Sequence, residues 1–231
     1  TADELIDAER RKLEALKKYK KGLMQKLFPR DGEKVPEMRF PEFQTAGEWK
    51  TVRLGDILMS GSKNKVNDTS KYKKITIKLH NKGIEFSNIE RKMADKRPFY
   101  IRKKDEIIIG KQNYFNGSIA IVSEEFDNTI CSNAIMSFTV DKNFNNKFIY
   151  LSLSRESYLK KYSHFAAGTG QKELSEKDFL NFVLLVPSLE EQQKISEVLS
   201  TANELIDLEK RKLEALKKYK KGLMQKLFPN I

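Results

Sequence analysis

Residues 1–29 read TADELIDAERRKLEALKKYKKGLMQKLFP, and residues 201–229 read TANELIDLEKRKLEALKKYKKGLMQKLFP. Three positions separate them: Asp3 against Asn203, Ala8 against Leu208 and Arg10 against Lys210. Such near-identity, 200 residues apart, means a duplicated unit or one surface that has to be presented twice. Each copy predicts a helix, because strong helix formers fill it and apolar residues recur at alternating spacings of three and four. In the second copy the stripe is Leu199, Ala202, Ile206, Leu213, Leu216, Leu223 and Leu227, interrupted by Glu209 and Lys220; in the first it is Ile6, Leu13, Leu16, Leu23 and Leu27. That seam suits pairing with another long helix. The copies are therefore expected to pair antiparallel, within one chain or between two, with Leu13, Leu16 and Leu23 meeting Leu213, Leu216 and Leu223. Ser188 and Glu191 form a capping box just after Pro187, and Pro29 and Pro229 end the two copies. From Leu189 to Phe228 such a helix would run about 60 Å.

The whole chain has 231 residues and a formal charge of +12, which favours a polyanionic partner, nucleic acid before an anionic membrane surface. The copies carry +3 and +4 of that charge, so +5 is left for everything between them. Net charge alone therefore does not locate a DNA site. Within each copy the acids come early and the lysines late, which complements the helix dipole and solvates an exposed face; weak phosphate contact is compatible with the same pattern. Cys131 is the single cysteine, so neither an internal disulfide nor a thiolate metal cluster is available, and the chain suits a reducing cytoplasm. No run of eighteen apolar residues and no signal-peptide stretch occurs. The first residue is Thr1, not Met, as in a fragment or a processed product.

Between the helices, residues 30–47 hold two prolines and two glycines among many charges and predict an extended linker. A globular segment should start near Glu48-Trp49. Tyr72–Leu79, Glu106–Ile109, Ser118–Val122, Ala134–Val140 and Phe182–Val186 read as short strands, Asn116-Gly117 as a turn, and Asn146–Lys161 as the best internal helix. The expected fold class is α+β: one twisted, β-rich domain flanked by two long helices that pair as an antiparallel coiled coil. Three polar loops are candidate DNA-facing positions. Ser60–Lys74 carries Lys63, Lys65, Lys71, Lys73 and Lys74 with Asn64 and Asn67. Lys111, Gln112, Asn113, Tyr114, Phe115 and Asn116 mix a cation, three amides and two aromatics. Lys160–Lys172 carries Tyr162, His164, Thr169, Gln171 and Lys172. Amides can bond an adenine edge at two points, and lysine reaches guanine or phosphate. An ordinary solvated turn is the competing reading for each loop, most of all the first, whose lysines suit phosphate.

Enzyme motifs are scarce. There is no phosphate loop of the form G-x-x-x-x-G-K-[ST], and Gly168-Thr169-Gly170 lacks the third glycine of a dinucleotide fingerprint. His80 and His164, the two histidines, have no metal-ligand spacing and read as surface or loop residues. No Asn-Pro-Pro-aromatic tetrapeptide of an adenine methyltransferase occurs. Glu48-Trp49-Lys50 and Glu90-Arg91-Lys92 match half of a metal-dependent nuclease motif, but with 33% of residues charged such triplets arise by chance. No catalytic residue, metal or cofactor is expected.

Four segments carry a family resemblance. Trp49-Lys50-Thr51-Val52-Arg53-Leu54-Gly55-Asp56-Ile57 resembles the opening of a type I target-recognition domain. Gly168-Thr169-Gly170-Gln171 followed by Leu174 resembles its late glycine-glutamine turn. Val186-Pro187-Ser188-Leu189-Glu190-Glu191-Gln192-Gln193-Lys194-Ile195 is similar to the proline-led entry into the family's helix, and Leu223-Met224-Gln225-Lys226-Leu227-Phe228-Pro229 to its end. The last two are the specific ones. The chain thus resembles the specificity subunit of type I restriction-modification enzymes. The resemblance implies a non-catalytic subunit that reads one half of a bipartite site on double-stranded DNA. It also implies helices that act as a spacer and dock methyltransferase (modification) subunits, with restriction subunits joining in the holoenzyme and catalysis left to those partners. It divides the chain into a first spacer helix (1–29), a linker (30–47), a recognition domain (48–186) and a second spacer helix (187–231). In that family a subunit has two recognition domains; here there is one, and the first helix lacks a stretch matching Pro187–Ser200. Both a C-terminal portion of a longer subunit and a half-subunit forming a homodimer through its helices fit this pattern. The competing classes are a coiled-coil adaptor that binds only protein and a self-sufficient nuclease.

Overall fold

In the computed structural model, which describes residues 1–87, 97–166 and 173–227, each copy of the repeat is helical. Helix α1 spans Ala2–Lys26, and Thr1 closes a capping box with Glu4 at its start. The second copy lies within α6, Leu189–Leu227, so Thr201, the equivalent of Thr1, is mid-helix and its hydroxyl donates to the Glu197 carbonyl. The cap belongs instead to Ser188, whose Oγ accepts from the Glu191 amide at 3.4 Å.

The apolar stripes of α1 and α6 form one seam: Ile6 and Leu13 pack with Ile206 and Leu213, flanked by Leu16 and Leu216. Charge sets the orientation. In a parallel pair like positions would meet, setting Glu9 on Glu209 and Lys12 on Lys212. In the antiparallel pair Lys12 bonds Glu209 at 2.8 Å, Lys212 bonds Glu9, and Lys220 bonds Asp3. Glu9 and Glu209, which interrupt the apolar pattern, are thereby buried at 7% and 4% exposure. This register corrects one end of the expected seam. Leu23 is half-buried and comes level with Leu199, while Leu223 is 37% exposed.

The segment 30–47 is not an extended linker. Leu27, Phe28 and Pro36 are buried, Met38 donates its amide to the Lys26 carbonyl at 2.9 Å, and Glu37 pairs with Lys26 and Arg30. Lys194 of α6 pairs with Glu42 at 3.6 Å and lies over the Phe40 ring. The chain accordingly divides into two compact units, Thr1–Gly47 with Lys194–Ile231, and Glu48–Gln193.

The second unit is built on a four-stranded antiparallel sheet ordered β2-β9-β6-β7, from Leu58–Ser60, Ile135–Val140, Ile107–Gly110 and Ile119–Ile121. Three antiparallel pairs complete its described strands: β1 (Lys50–Arg53) with β10 (Val183–Val186), β3 (Ile75–Ile77) with β4 (Ile84–Phe86), and β5 (Phe99–Ile101) with β8 (Ile130–Ser132). Strand β6 reads Ile-Ile-Ile-Gly and is buried on both faces at its isoleucines, with Ile108 packed among Ile75, Ile77, Ala120, Val122 and Cys131. Four short helices belong to the same unit, α2 (Leu54–Ile57), α3 (Asn146–Leu153), α4 (Glu156–Tyr162) and α5 (Glu176–Leu180); α2 lies against β2, α3 against β7, and Phe179 of α5 meets the Phe138 ring of β9. The single helix expected over 146–161 is thus two. It breaks at Ser154-Arg155, where the Ser154 hydroxyl donates to the Leu151 carbonyl and Arg155 is extended.

Candidate nucleic-acid interface

The loop between β6 and β7, residues 111–118, is built around one inward side chain. Tyr114 is fully buried; its hydroxyl donates to the Leu153 carbonyl at 2.9 Å and its ring meets Phe179 edge-on. Burial pushes its phenol well above the ordinary value, so it is a neutral plug. This corrects the expectation that Tyr114 faces DNA: in the 3-10 turn Tyr114–Asn116 it anchors the loop from beneath. The same turn leaves Asn113 and Asn116 exposed, with the Asn116 amide donating to Asn113 Oδ1 at 3.4 Å.

The chain that follows the third loop lies alongside. Leu174 donates its amide to the Lys111 carbonyl at 3.0 Å, and Gln112 donates to Glu173 at 3.1 Å. Lys111 is half-buried, its own amide bonded to the Ala134 carbonyl. His164 is exposed in the turn Ser163–Ala166 after α4, against the Phe165 ring. Thr169, Gln171 and Lys172, with the glycine-glutamine turn, lie outside the described residues, as does Glu90.

The first loop is rooted differently. Arg102, 2% exposed, donates to the Ser62 carbonyl at 2.9 Å and pairs with the equally buried Glu106 at 3.4 Å. At its far end the Lys73 and Lys74 carbonyls accept from Ile130 and Ser87, and their ammonium groups lie 5.0 Å over the Phe86 and Phe99 rings. Lys63 is paired with Glu176 at 3.4 Å and Lys71 with Asp68 at 3.6 Å. Lys73 and Lys74 therefore stand at the start of β3, whereas the chain leaving its end is what reaches the amide loop. His80 and Asn81 donate their amides to the Asn116 and Gly117 carbonyls at 2.8 and 2.9 Å. The 78–83 loop is not among the three expected DNA-facing loops; its signal in the sequence is the Asn-x-Gly pattern of a tight reversal.

This arrangement gathers Lys111, Gln112, Asn113 and Asn116 with the 78–83 loop, and leaves Lys73 and Lys74 apart. Chemically it offers exposed amide donors and acceptors on fixed backbone, suited to hydrogen bonding with a base edge. Among the described residues no cluster of His, Cys, Asp and Glu could hold a metal ion, and no helix is long and apolar enough to cross a membrane.

Comparison with known proteins adds an independent line. The family model of the type I restriction modification DNA specificity domain matches residues 46–218. The MjaVIII type I restriction enzyme specificity subunit of Methanocaldococcus jannaschii is 24% identical over 238 residues, covering 97% of this chain and 56% of that protein. The fold is shared with the S subunit of a type I restriction-modification system from M. genitalium, at TM-score 0.65 and 18% identity, over 100% of this chain and 58% of that one. The HsdS subunit from Thermoanaerobacter tengcongensis matches at TM-score 0.56 and 15% identity, over 99% and 54%. The chain spans about half the length of these relatives.

Proposed function

Because the chain belongs to the family of type I restriction-modification DNA specificity domains, we propose that its unit Glu48–Gln193 is a target-recognition domain that reads one half of a bipartite site on duplex DNA. The observation that carries this reading is the 111–116 loop, whose amides stand exposed on a backbone pinned by Tyr114. Gln112, Asn113, Asn116 and, in the third loop, His164 and Gln171 contact bases. Lys73, Lys74, Lys111, Thr169 and Lys172 hold backbone phosphates. The paired helices are the spacer: at about 1.5 Å per residue α1 alone matches a turn of DNA, about 34 Å. They also dock methyltransferase subunits, through which restriction subunits join and in which catalysis resides. Exposed Leu5, Tyr19, Leu205, Leu208 and Tyr219 on the helices favour such protein docking, and would equally serve an adaptor that never touches DNA.

The test is binding to a selected duplex site and to its single-base variants across a salt series, with and without a methyltransferase subunit. Asn113→Ala is expected to relax preference at particular bases, by about 1–3 kcal/mol of discrimination. Lys73→Ala and Lys74→Ala should weaken all sequences alike and reduce the salt slope by about one per lost phosphate contact. Absence of DNA binding with the methyltransferase present would leave the adaptor reading.

A further inference from the structure

The loop joining β3 to β4, residues 78–83, is held in a costly conformation. His80 and Asn81 are consecutive non-glycine residues in the left-handed region, at φ 60° and 55°. Asparagine and histidine tolerate that region better than most side chains, yet two in succession are maintained only where the surroundings over-determine them.

Here they do. The loop is closed by the Lys78 amide donating to the Gly83 carbonyl at 2.8 Å. The His80 and Asn81 amides are spent on Asn116 and Gly117, and the Asn81 side chain donates to the Ser154 carbonyl at 3.0 Å, at the end of α3. Gly117 itself has φ +73°, and a Cβ there would stand 2.9 Å from the Asn81 amide nitrogen and 3.1 Å from the His80 Cα. The approach thus requires glycine, and the 78–83 and 111–117 loops form one rigid surface. On that surface Asn81 uses its amide inward, while His80 and Lys82 are exposed, as are Asn113 and Asn116 on the loop to which the His80 backbone is bonded. An imidazole can donate through one ring nitrogen and accept through the other, which suits a base edge.

We propose that His80 is a specificity-determining residue that contacts a base next to those read by the amide loop, and that Asn81 is the positioning residue that holds it there. The inference rests on the DNA-reading function proposed above.

It is tested by selecting bound sequences from a random duplex DNA pool, in the presence of a methyltransferase subunit, with the full chain, with His80→Ala and with Asn81→Gly. Glycine accepts the left-handed conformation, so Asn81→Gly removes the bond to Ser154 while sparing the backbone. Wild type should enrich a motif. His80→Ala should keep that motif but lose discrimination at one position, about 5- to 150-fold, with an unchanged salt slope. Asn81→Gly should relax the same position, an effect that general loss of stability would not localise. If wild type enriches a motif and both variants enrich it unaltered, the inference is overturned and DNA reading stands. Equal weakening of all sequences by His80→Ala also overturns it, since that is the mark of a phosphate contact. If wild type enriches no motif, both the inference and the reading beneath it fail.

Discussion

Tyr114 separates two ideas that composition blends: a residue within a recognition loop and a residue that recognises. Its ring is core, so Tyr114→Phe, which deletes only the hydroxyl bonded to Leu153, should cost about 1 kcal/mol. Tyr114→Ala should cost about 3–5 kcal/mol in denaturant unfolding, as for other large buried aromatics. Near-equal losses for the two variants would mean that the ring does little. Gly117 sits on the other side of the same turn. Adding a methyl group forces a left-handed alanine against the Asn81 backbone, so Gly117→Ala should lose about 1–3 kcal/mol and release the 78–83 loop, seen as faster amide exchange at His80 and Asn81. The sequence could flag this loop by its amides and its Asn-Gly turn. It could not show which aromatic points inward, because a 3-10 turn has no long period from which to read a face.

Helices are where periodicity speaks, and there the sequence was informative. A stripe at spacings of three and four identified the seam through Ile6, Leu13, Leu16, Ile206, Leu213 and Leu216, since burial of one face is what such a stripe encodes. Register is a relation between helices, however, and only the crossed pairs of Glu9 with Lys212 and Glu209 with Lys12 set it. Leu213→Ala should accordingly cost about 2–5 kcal/mol, whereas Leu223→Ala, at a position 37% exposed, should cost less than about 1 kcal/mol; similar melting shifts for the two would contradict this seam. The repeat is also imperfect in a useful place. Lys220 has Asp3, but the equivalent of Asp3 near Lys20 is Asn203. Burial, then the nearby Lys210 charge, lowers the pKa of Lys20 below 10.5, so the folded state gives up its proton more readily than the unfolded chain. Its penalty is present at neutral pH and fades as pH rises through that lowered value towards 10.5. Wild type should therefore gain stability relative to Lys20→Gln between neutral pH and pH about 10, and Asn203→Asp should flatten that gain. Denaturant melts across this range check both. The short strands were legible only as apolar patches with their ends overrun. Tyr72–Leu79 shrinks to Ile75–Ile77 because Lys73 and Lys74 bond to neighbouring segments one at a time and Lys78 turns into the loop.

At the scale of the whole chain, the two units have separate cores, one a leucine and isoleucine seam and the other centred on Ile108. Calorimetry should resolve this: Leu13→Asp should lower one transition and Tyr114→Ala the other. A single transition shifted equally by both would show that the units unfold as one. The helix pair has one more consequence, which concerns how its length can change. A residue inserted between Ile6 and Leu13 would rotate everything after it by about 100° and carry Leu13 off the seam. Placed between Glu9 and Lys12, it would also part Lys12 from Glu209 while leaving Glu9 on Lys212. Insertions that keep the teeth engaged come only in sums of three and four, and the seven-residue step adds about 10 Å. The pair is geared: it can be lengthened by notches, but it does not slide.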